Sequence, residues 1–330
     1  LRSMAAGGYC LIFISHKLDE VLAVSDRITV LRRGEAVGTV DAAATSRREI
    51  ARMMVGRELN TDPAPVRSAA GAPVLTVSGL MSQSDRGIHV LNDVSFEVAA
   101  GEILGIAGVA GNGQRELAEV ITGLRPSTAG RVMVGSESAI GRSVAEIAAL
   151  GVAHIPEDRL ATGLAGGIDV EANTVLRHYR GAPLSKGPLL RRREIGAFAD
   201  RLIADHDVKT PSRRTRVRNL SGGNQQKLII ARELAGSPAV IVANSPTRGV
   251  DIGATEAIHE QLLAHRERGA AILLISEDLE ELRALADRIA VMVRGRIVGI
   301  VPRAEATVER LGLLMSGASE TSDTATDPAA

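Results

Sequence analysis

Two hydrophobic periods alternate along the chain. Short continuous apolar runs, "LIFIS" (Leu11 to Ser15), "EILGIAG" (Glu102 to Gly108), "AVIVA" (Ala239 to Ala243) and "AAILLIS" (Ala270 to Ser276), predict buried strands. Between them lie stretches with apolar residues every three or four positions. "SRREIARMMVG" (Ser46 to Gly56), the residues from Glu116 to Gly123 and "RRREIGAFADRLIADHDV" (Arg191 to Val208) predict helices. The last of these places Ile195, Phe198, Leu202 and Ile203 on one face. Strands alternating with helices predict an α/β fold.

The pattern also repeats. "LIFISHKLDEVLAVSDRITVLRRGEAVGTV" (Leu11 to Val40) returns without a gap as "ILLISEDLEELRALADRIAVMVRGRIVGIV" (Ile272 to Val301), at an offset of 261 residues. Each copy predicts a buried strand, an amphipathic helix and two short strands around a turn at Gly34 or Gly295. A match of this length marks two related domains. The expected organisation is the C-terminal part of a first domain (1–57), a polar, Pro- and Ala-rich linker (58–73), a whole second domain (74–317) and a disordered tail (318–330). A complete first domain would need about 190 residues ahead of Leu1, so the chain is expected to be a fragment.

Composition narrows the classes. No apolar run approaches the ~18 residues of a spanning helix, so no segment is expected to cross a bilayer. The formal net charge is zero, which removes the electrostatic case for a nucleic-acid partner. The runs Arg191 to Arg193 and Ser212 to Arg214 are therefore read as solvated faces. Cys10 is the single cysteine, excludes an internal disulfide and is expected to pack in its strand. His259 and His265 of "HEQLLAH" stand about 240° apart around a helix and cannot share a metal as i and i+4 residues do. No protein metal site is expected.

"GVAGNGQRE" (Gly108 to Glu116) has the glycine spacing of a phosphate loop, with Gly108, Gly111 and Gly113 around Asn112. Glycines let backbone N–H groups converge on phosphate oxygens at a helix start; a lysine and a Ser/Thr hydroxyl normally complete the site. Here those two places hold Gln114 and Arg115. "NLSGGNQQKLIIAREL" (Asn219 to Leu234) begins a helix with Ser221, Gly222, Gly223 and Asn224, offering a hydroxyl, N–H groups and a positive dipole end to an anion. The plain alternative is a helix capped by Ser221.

With "LSGGNQQK", "GVAGNGQRE", "SPTRGVD", "IPEDR" (Ile155 to Arg159) and "ISEDLEEL" in this order, nearly the whole chain resembles ATP-binding subunits of ABC transporters. It is most similar to the tandem-domain family that imports simple sugars and nucleosides. The resemblance implies a P-loop (RecA-like) ABC ATPase domain with an antiparallel β-subdomain and a helical subdomain, preceded by the C-terminal part of a second such domain. It implies ATP as ligand, with Gly108, Gly111, Asn112, Gly113, Gln114, Arg115, His89, Glu157, Ser221, Gly222, Gly223, Asn224 and Asp251 around nucleotide. His89 falls where an aromatic side chain stacks on adenine.

The departures from the family pattern carry as much meaning as the matches. The places of the Mg²⁺-holding Asp and the water-polarising Glu are Asn244 and Ser245, and that of the phosphate-contacting His is Glu277, whereas the first domain keeps His16. Losing a unit charge about 4 Å from phosphate forfeits on the order of 4 kcal/mol at an effective dielectric of 20. Arg115 could compensate by pairing with phosphate oxygens. Losing the carboxylate costs about 10²–10⁴ in rate. The resemblance thus implies one hydrolytic ATP site on the first domain's loop, with Mg²⁺ there and outside this chain, closed by the signature of the second domain. The second domain's own site is degenerate, and this chain alone should have little ATPase activity. Implied partners are membrane-spanning permease subunits, indirectly a substrate-binding protein, and the missing first half or a second copy; the implied location is the cytoplasmic face of the membrane. A soluble tandem ATPase acting on ribosomes or DNA and a truncated regulatory module remain alternatives.

Overall fold

The computed structural model describes residues 1–15, 17–32, 34–56, 64–65 and 71–317. The expected tail, most of the expected linker and His16 lie outside the described residues. The chain divides into two compact units, Leu1–Asp62 with Gly249–Ala257, and Pro63–Arg248 with Ile258–Ala330.

In the larger unit the apolar runs become the centre of a six-stranded sheet. Its order is Arg296–Pro302, Arg288–Val293, Ile103–Ala107, Ala271–Ile275, Val240–Asn244 and Val152–Ile155. All neighbours are parallel except the first pair, an antiparallel hairpin. Every residue of the three central strands is buried, which is why they read as continuous apolar runs rather than alternating ones. A second, four-stranded antiparallel sheet is built from His89–Ala99, Pro73–Gln83, Ala129–Val134 and Glu137–Ser138. One core joins both sheets and the helix Gln114–Ile121, with Leu75, Leu91, Leu104, Ile106 and Leu117 fully buried. Each such side chain contributes about 1.5–3 kcal/mol relative to exposure.

The helices Val170–Val175, Arg192–Asp205 and Gly222–Leu234 pack together as a third part of this unit. Ile195 and Leu202 of the predicted apolar face are buried, and Phe198 packs beside Val175, Leu184 and Ile195. Arg213 and Arg214, read as solvated, keep 40% and 62% of their side chains exposed and also form ion pairs: Arg213 with Glu171 (2.7 Å) and Asp200 (2.6 Å), Arg214 with Glu171 (3.3 Å) and Asp169 (3.5 Å). Among the described residues no helix is long and apolar enough to cross a membrane.

The smaller unit holds the helices Leu18–Val24 and Arg47–Val55 and the hairpin Arg27–Arg32 with Glu35–Asp41. Leu18, Val21, Ile28, Val30, Ile50 and Ala51 form its core. Arg47–Val55 starts on Ser46, whose side chain accepts from the Glu49 N–H, and ends on Gly56 at φ 86°. The sequence repeat is also a structural one. Ile28 pairs with Val40 as Ile289 pairs with Val301, and both hairpins shift register at the same place, after Val30 and after Val291.

The two copies differ in one respect. Leu11–Ser15, expected as a buried strand, forms no strand, and its Ile12 and Ile14 are 92% and 94% exposed. Cys10, expected to pack, is exposed as well. The equivalent strand Ala271–Ile275 is hydrogen-bonded on both edges, by Ile103–Ala107 and Val240–Asn244. Within the smaller unit the described strands pair only with each other. An apolar run cannot form an interior strand without partners for its backbone groups.

Candidate nucleotide site

Three adjacent parallel strands, Ile103–Ala107, Ala271–Ile275 and Val240–Asn244, end at the same edge of the sheet. The carboxyl edge of such a sheet is where ligands bind in open α/β folds. Of the sequence-predicted residues, Gly108 to Arg115, Ser245 and Glu277 follow those strand ends, and Asn244 is the last residue of its strand.

The loop after Ile103–Ala107 turns through Gly111 (φ 84°) and Gly113 (φ 105°) into the helix Gln114–Ile121. A Cβ at Gly113 would lie 2.6 Å from the Val90 carbonyl oxygen, so the position requires glycine on two counts. Asn112 ties the loop to the neighbouring hairpin: its Oδ1 accepts from the Arg294 N–H at 2.7 Å and its carbonyl from the Gly295 N–H at 2.8 Å. Its Nδ2 donates to the Val109 carbonyl at 2.8 Å.

Gln114, in the lysine place, is buried and folds back over the loop. Its Oε1 accepts from the Asn112 backbone N–H at 3.1 Å, and its Nε2 donates to the Val109 carbonyl at 3.0 Å. Arg115, which the sequence offered as a compensating phosphate partner, is committed elsewhere. Its Nε binds Glu119 at 2.7 Å, and the other Glu119 oxygen takes Arg125 at 2.8 Å. A phosphate needs loop N–H groups and a cation turned towards it. With the Asn112 N–H given to an internal oxygen and a neutral Gln114 in the lysine place, the residues here fit a nucleotide's phosphates less well than a loop that carries the lysine.

At the end of Val240–Asn244, Asn244 is buried and Ser245 adopts φ 48°. Ser245 Oγ stands 3.4 Å from Asn244 Oδ1, and neither position supplies a carboxylate. Glu277 is exposed. The segment after Ser245 is pinned at three points. The Ser245 N–H donates to the Ile275 carbonyl (2.7 Å), Thr247 Oγ1 to Glu281 Oε1 (2.8 Å), and Arg248 pairs with Glu157. Glu281 Oε1 also takes His259 Nε2 at 2.9 Å. Burial pushes the Glu281 carboxyl up, but the bonds from His259, Ser276 and Thr247 outweigh it and leave the group below its ordinary value. Sequence reasoning missed Glu281 and His259 here, because a carboxylate in "DLEEL" looks like one more surface charge.

Ser221 occupies the N-cap place of Gly222–Leu234, but its hydroxyl makes no cap bond to the backbone and instead accepts from Asn224 Nδ2 at 2.8 Å. Asn224 Oδ1 accepts from the Lys209 N–H at 2.7 Å. The C-terminal end of this helix is held by a buried ionic cluster, in which Glu233 binds Arg177 and Arg232, both at 2.8 Å, while Arg232 also donates to the Gly163 carbonyl at 2.7 Å. The helix start is anchored by Asn224 and by Gln225, whose Nε2 donates to the Val217 and Leu220 carbonyls at 3.3 and 3.1 Å, and there Ser221, Gly222 and Gly223 stand with the first-turn N–H groups that suit an anion. His89 is exposed and sits 3.3 Å from Gln83 across the strand pair. Asp251 belongs to the smaller unit, where its carboxylate accepts from the Ala254 N–H at 2.9 Å.

Comparison with known proteins accords with this architecture. The family description "ABC transporter" matches residues 91–248, spanning the loop, the helix Gly222–Leu234 and the Asn244–Arg248 segment. The chain is 44% identical over 327 residues to the glucose import ATP-binding protein TsgD13 of Haloferax volcanii, covering 98% of this chain and 60% of that protein. Residues 91–248 carry an ABC transporter domain. It is also 41% identical over 320 residues to the guanosine import ATP-binding protein NupO of Bacillus subtilis, covering 97% of this chain and 63% of the relative. The chain therefore spans under two thirds of the length of these relatives. Among solved structures, a dimeric ATP-binding cassette bound to ADP and phosphate aligns with TM-score 0.60 at 22% identity, over 69% of this chain and 98% of that one. The fold is the α/β fold of ABC ATPase cassettes.

Proposed function

We propose that this chain is part of the ATP-binding subunit of an ABC importer for carbohydrates or nucleosides. The similar relatives are described as glucose and guanosine import proteins, and the chain matches them over nearly its whole length. On this reading residues 1–57 are the end of a first cassette, 58–73 a linker and 74–317 a second cassette. The second cassette acts by closing an ATP site built on another cassette's phosphate loop. Ser221, Gly222, Gly223 and Asn224 face the terminal phosphate there, and His16 and the Mg²⁺ belong to that site. The second cassette's own loop does not hydrolyse ATP. The permease subunits hold the protein at the cytoplasmic face of the membrane.

The observation that carries this reading is the contrast within one unit. An anchored helix start with Ser221 and two glycines accompanies a loop with Gln114 in the lysine place and a strand end with Asn244 and Ser245 in the carboxylate places. The test is uptake of labelled glucose, ribose and guanosine by cells carrying the wild-type gene or Ser221→Arg. A bulky cation at the helix start is expected to abolish uptake of one substrate class at unchanged protein level. Uptake at the wild-type rate would overturn the reading.

A further inference from the structure

The geometry points to Gln114 as an internal substitute for the phosphate: the loop of the second cassette is liganded by its own side chain and does not take a nucleotide. This goes beyond the absence of hydrolysis and rests on the reading of this unit as a cassette with a degenerate site. Four observations converge on it. Gln114 is buried, although a carboxamide at a ligand-facing helix start would be wet. Its acceptor end takes the N–H of Asn112, one of the loop groups a phosphate oxygen would use. Its donor end holds the Val109 carbonyl, so both halves of the amide are spent inside the loop. A Cβ on Gly108 would lie 2.5 Å from Gln114 Nε2, so the amide lies directly against the loop backbone.

The chemistry favours this closed state. A neutral carboxamide satisfies a donor and an acceptor together, which a lysine ammonium, with donors only, cannot do. A phosphate entering the loop must first break two bonds at 3.0–3.1 Å and displace a buried side chain, without a lysine charge to offset that cost. Arg115 is turned to Glu119 on the helix surface, and Glu119 also binds Arg125. The site is thereby kept in cassette shape with no ligand, and nucleotide turnover is left to the site that the Ser221 helix closes.

The experiment is calorimetric titration of the 330-residue chain with ADP and with inorganic pyrophosphate, for wild type, Gln114→Ala and Gln114→Glu. Wild type is expected not to bind either probe at millimolar concentration. Gln114→Ala releases the Asn112 N–H and the Val109 carbonyl and is expected to tighten pyrophosphate binding at least about tenfold. Gln114→Glu keeps the internal acceptor, adds a negative charge and is expected to behave as wild type. Saturable wild-type binding of ADP that Gln114→Ala weakens would overturn the proposal, because Gln114 would then be a phosphate ligand; absence of any gain in Gln114→Ala would overturn it too. Should Gln114→Ala fail to fold, the backbone amide resonance of Asn112 in the wild-type chain decides: no shift on adding pyrophosphate supports the internal ligand, and a saturating shift refutes it. These outcomes are independent of Ser221 and of uptake, so the proposed function and this inference can fail separately.

Discussion

Removing the Glu281 carboxylate should loosen the segment that carries Asn244, Ser245 and Arg248. Glu281 is 5% exposed and accepts from Thr247 at 2.8 Å and His259 at 2.9 Å. Hydrogen bonds to a charged group contribute about 1.5–3 kcal/mol each, and two buried donors lose their acceptor together. Glu281→Ala should therefore cost roughly 3–5 kcal/mol, a large part of the 5–15 kcal/mol typical of a domain. Urea denaturation followed by circular dichroism at pH 7.5 reads this as a lower midpoint at unchanged slope. Thr247→Val alone should cost about 1–2 kcal/mol, and the Glu281→Ala, Thr247→Val double variant should fall short of additivity by about 1 kcal/mol or more. A Glu281→Ala midpoint within about 0.5 kcal/mol of wild type, or strict additivity of the pair, would refute the clamp.

Three further outcomes follow from the same geometry. Gly113→Ala forces a Cβ to 2.6 Å from the Val90 carbonyl at φ 105°, so it should destabilise by about 3 kcal/mol or more, and a melting temperature within 2 °C of wild type (about 0.5 kcal/mol) would contradict it. Glu233→Ala leaves the buried Arg232 and the half-buried Arg177 without their carboxylate; the expected loss is about 3–5 kcal/mol in denaturant, and a neutral result would show the cluster to be idle. Burial pushes the His154 imidazole down to about 4, below its unfolded value near 6.5, so the folded state binds fewer protons between those limits. Its stabilisation is complete above pH 6.5 and is lost as pH falls towards 4, amounting to about 2 kcal/mol at pH 5. His154→Gln should flatten the stability difference between pH 7.5 and pH 5 by that amount, and an unchanged pH slope would sink the assignment.

Much of this was legible in the chain itself. The runs at Ile103, Val240 and Ala271 read as buried strands because in a central parallel sheet both faces are covered and no polar alternation survives. The repeat was legible because the same hairpin, with the same shift after Val30 and Val291, imposes the same apolar positions twice. The identical logic failed at Leu11–Ser15, where apolar pattern alone cannot supply neighbouring strands. The candidate loop was found by glycine spacing, since Gly111 and Gly113 sit at positive φ. What Gln114 and Arg115 do there was not legible: each is chosen by short-range bonds, to Asn112 and Val109 or to Glu119, that a position-by-position reading of the motif does not contain. Glu281 was hidden for the same reason, its partners Thr247 and His259 lying 34 and 22 residues away.

The account stands or falls on a division of labour between the Ser221 helix start and the Gln114 loop. The most direct measurement is steady-state ATP turnover by the proposed importer, assembled with the permease subunits proposed for it, comparing Ser221→Arg with Gln114→Ala. The account predicts that Ser221→Arg lowers turnover by about 10²-fold or more, as losing a transition-state contact does, while Gln114→Ala leaves it within about twofold. Turnover that survives Ser221→Arg and collapses in Gln114→Ala would contradict it.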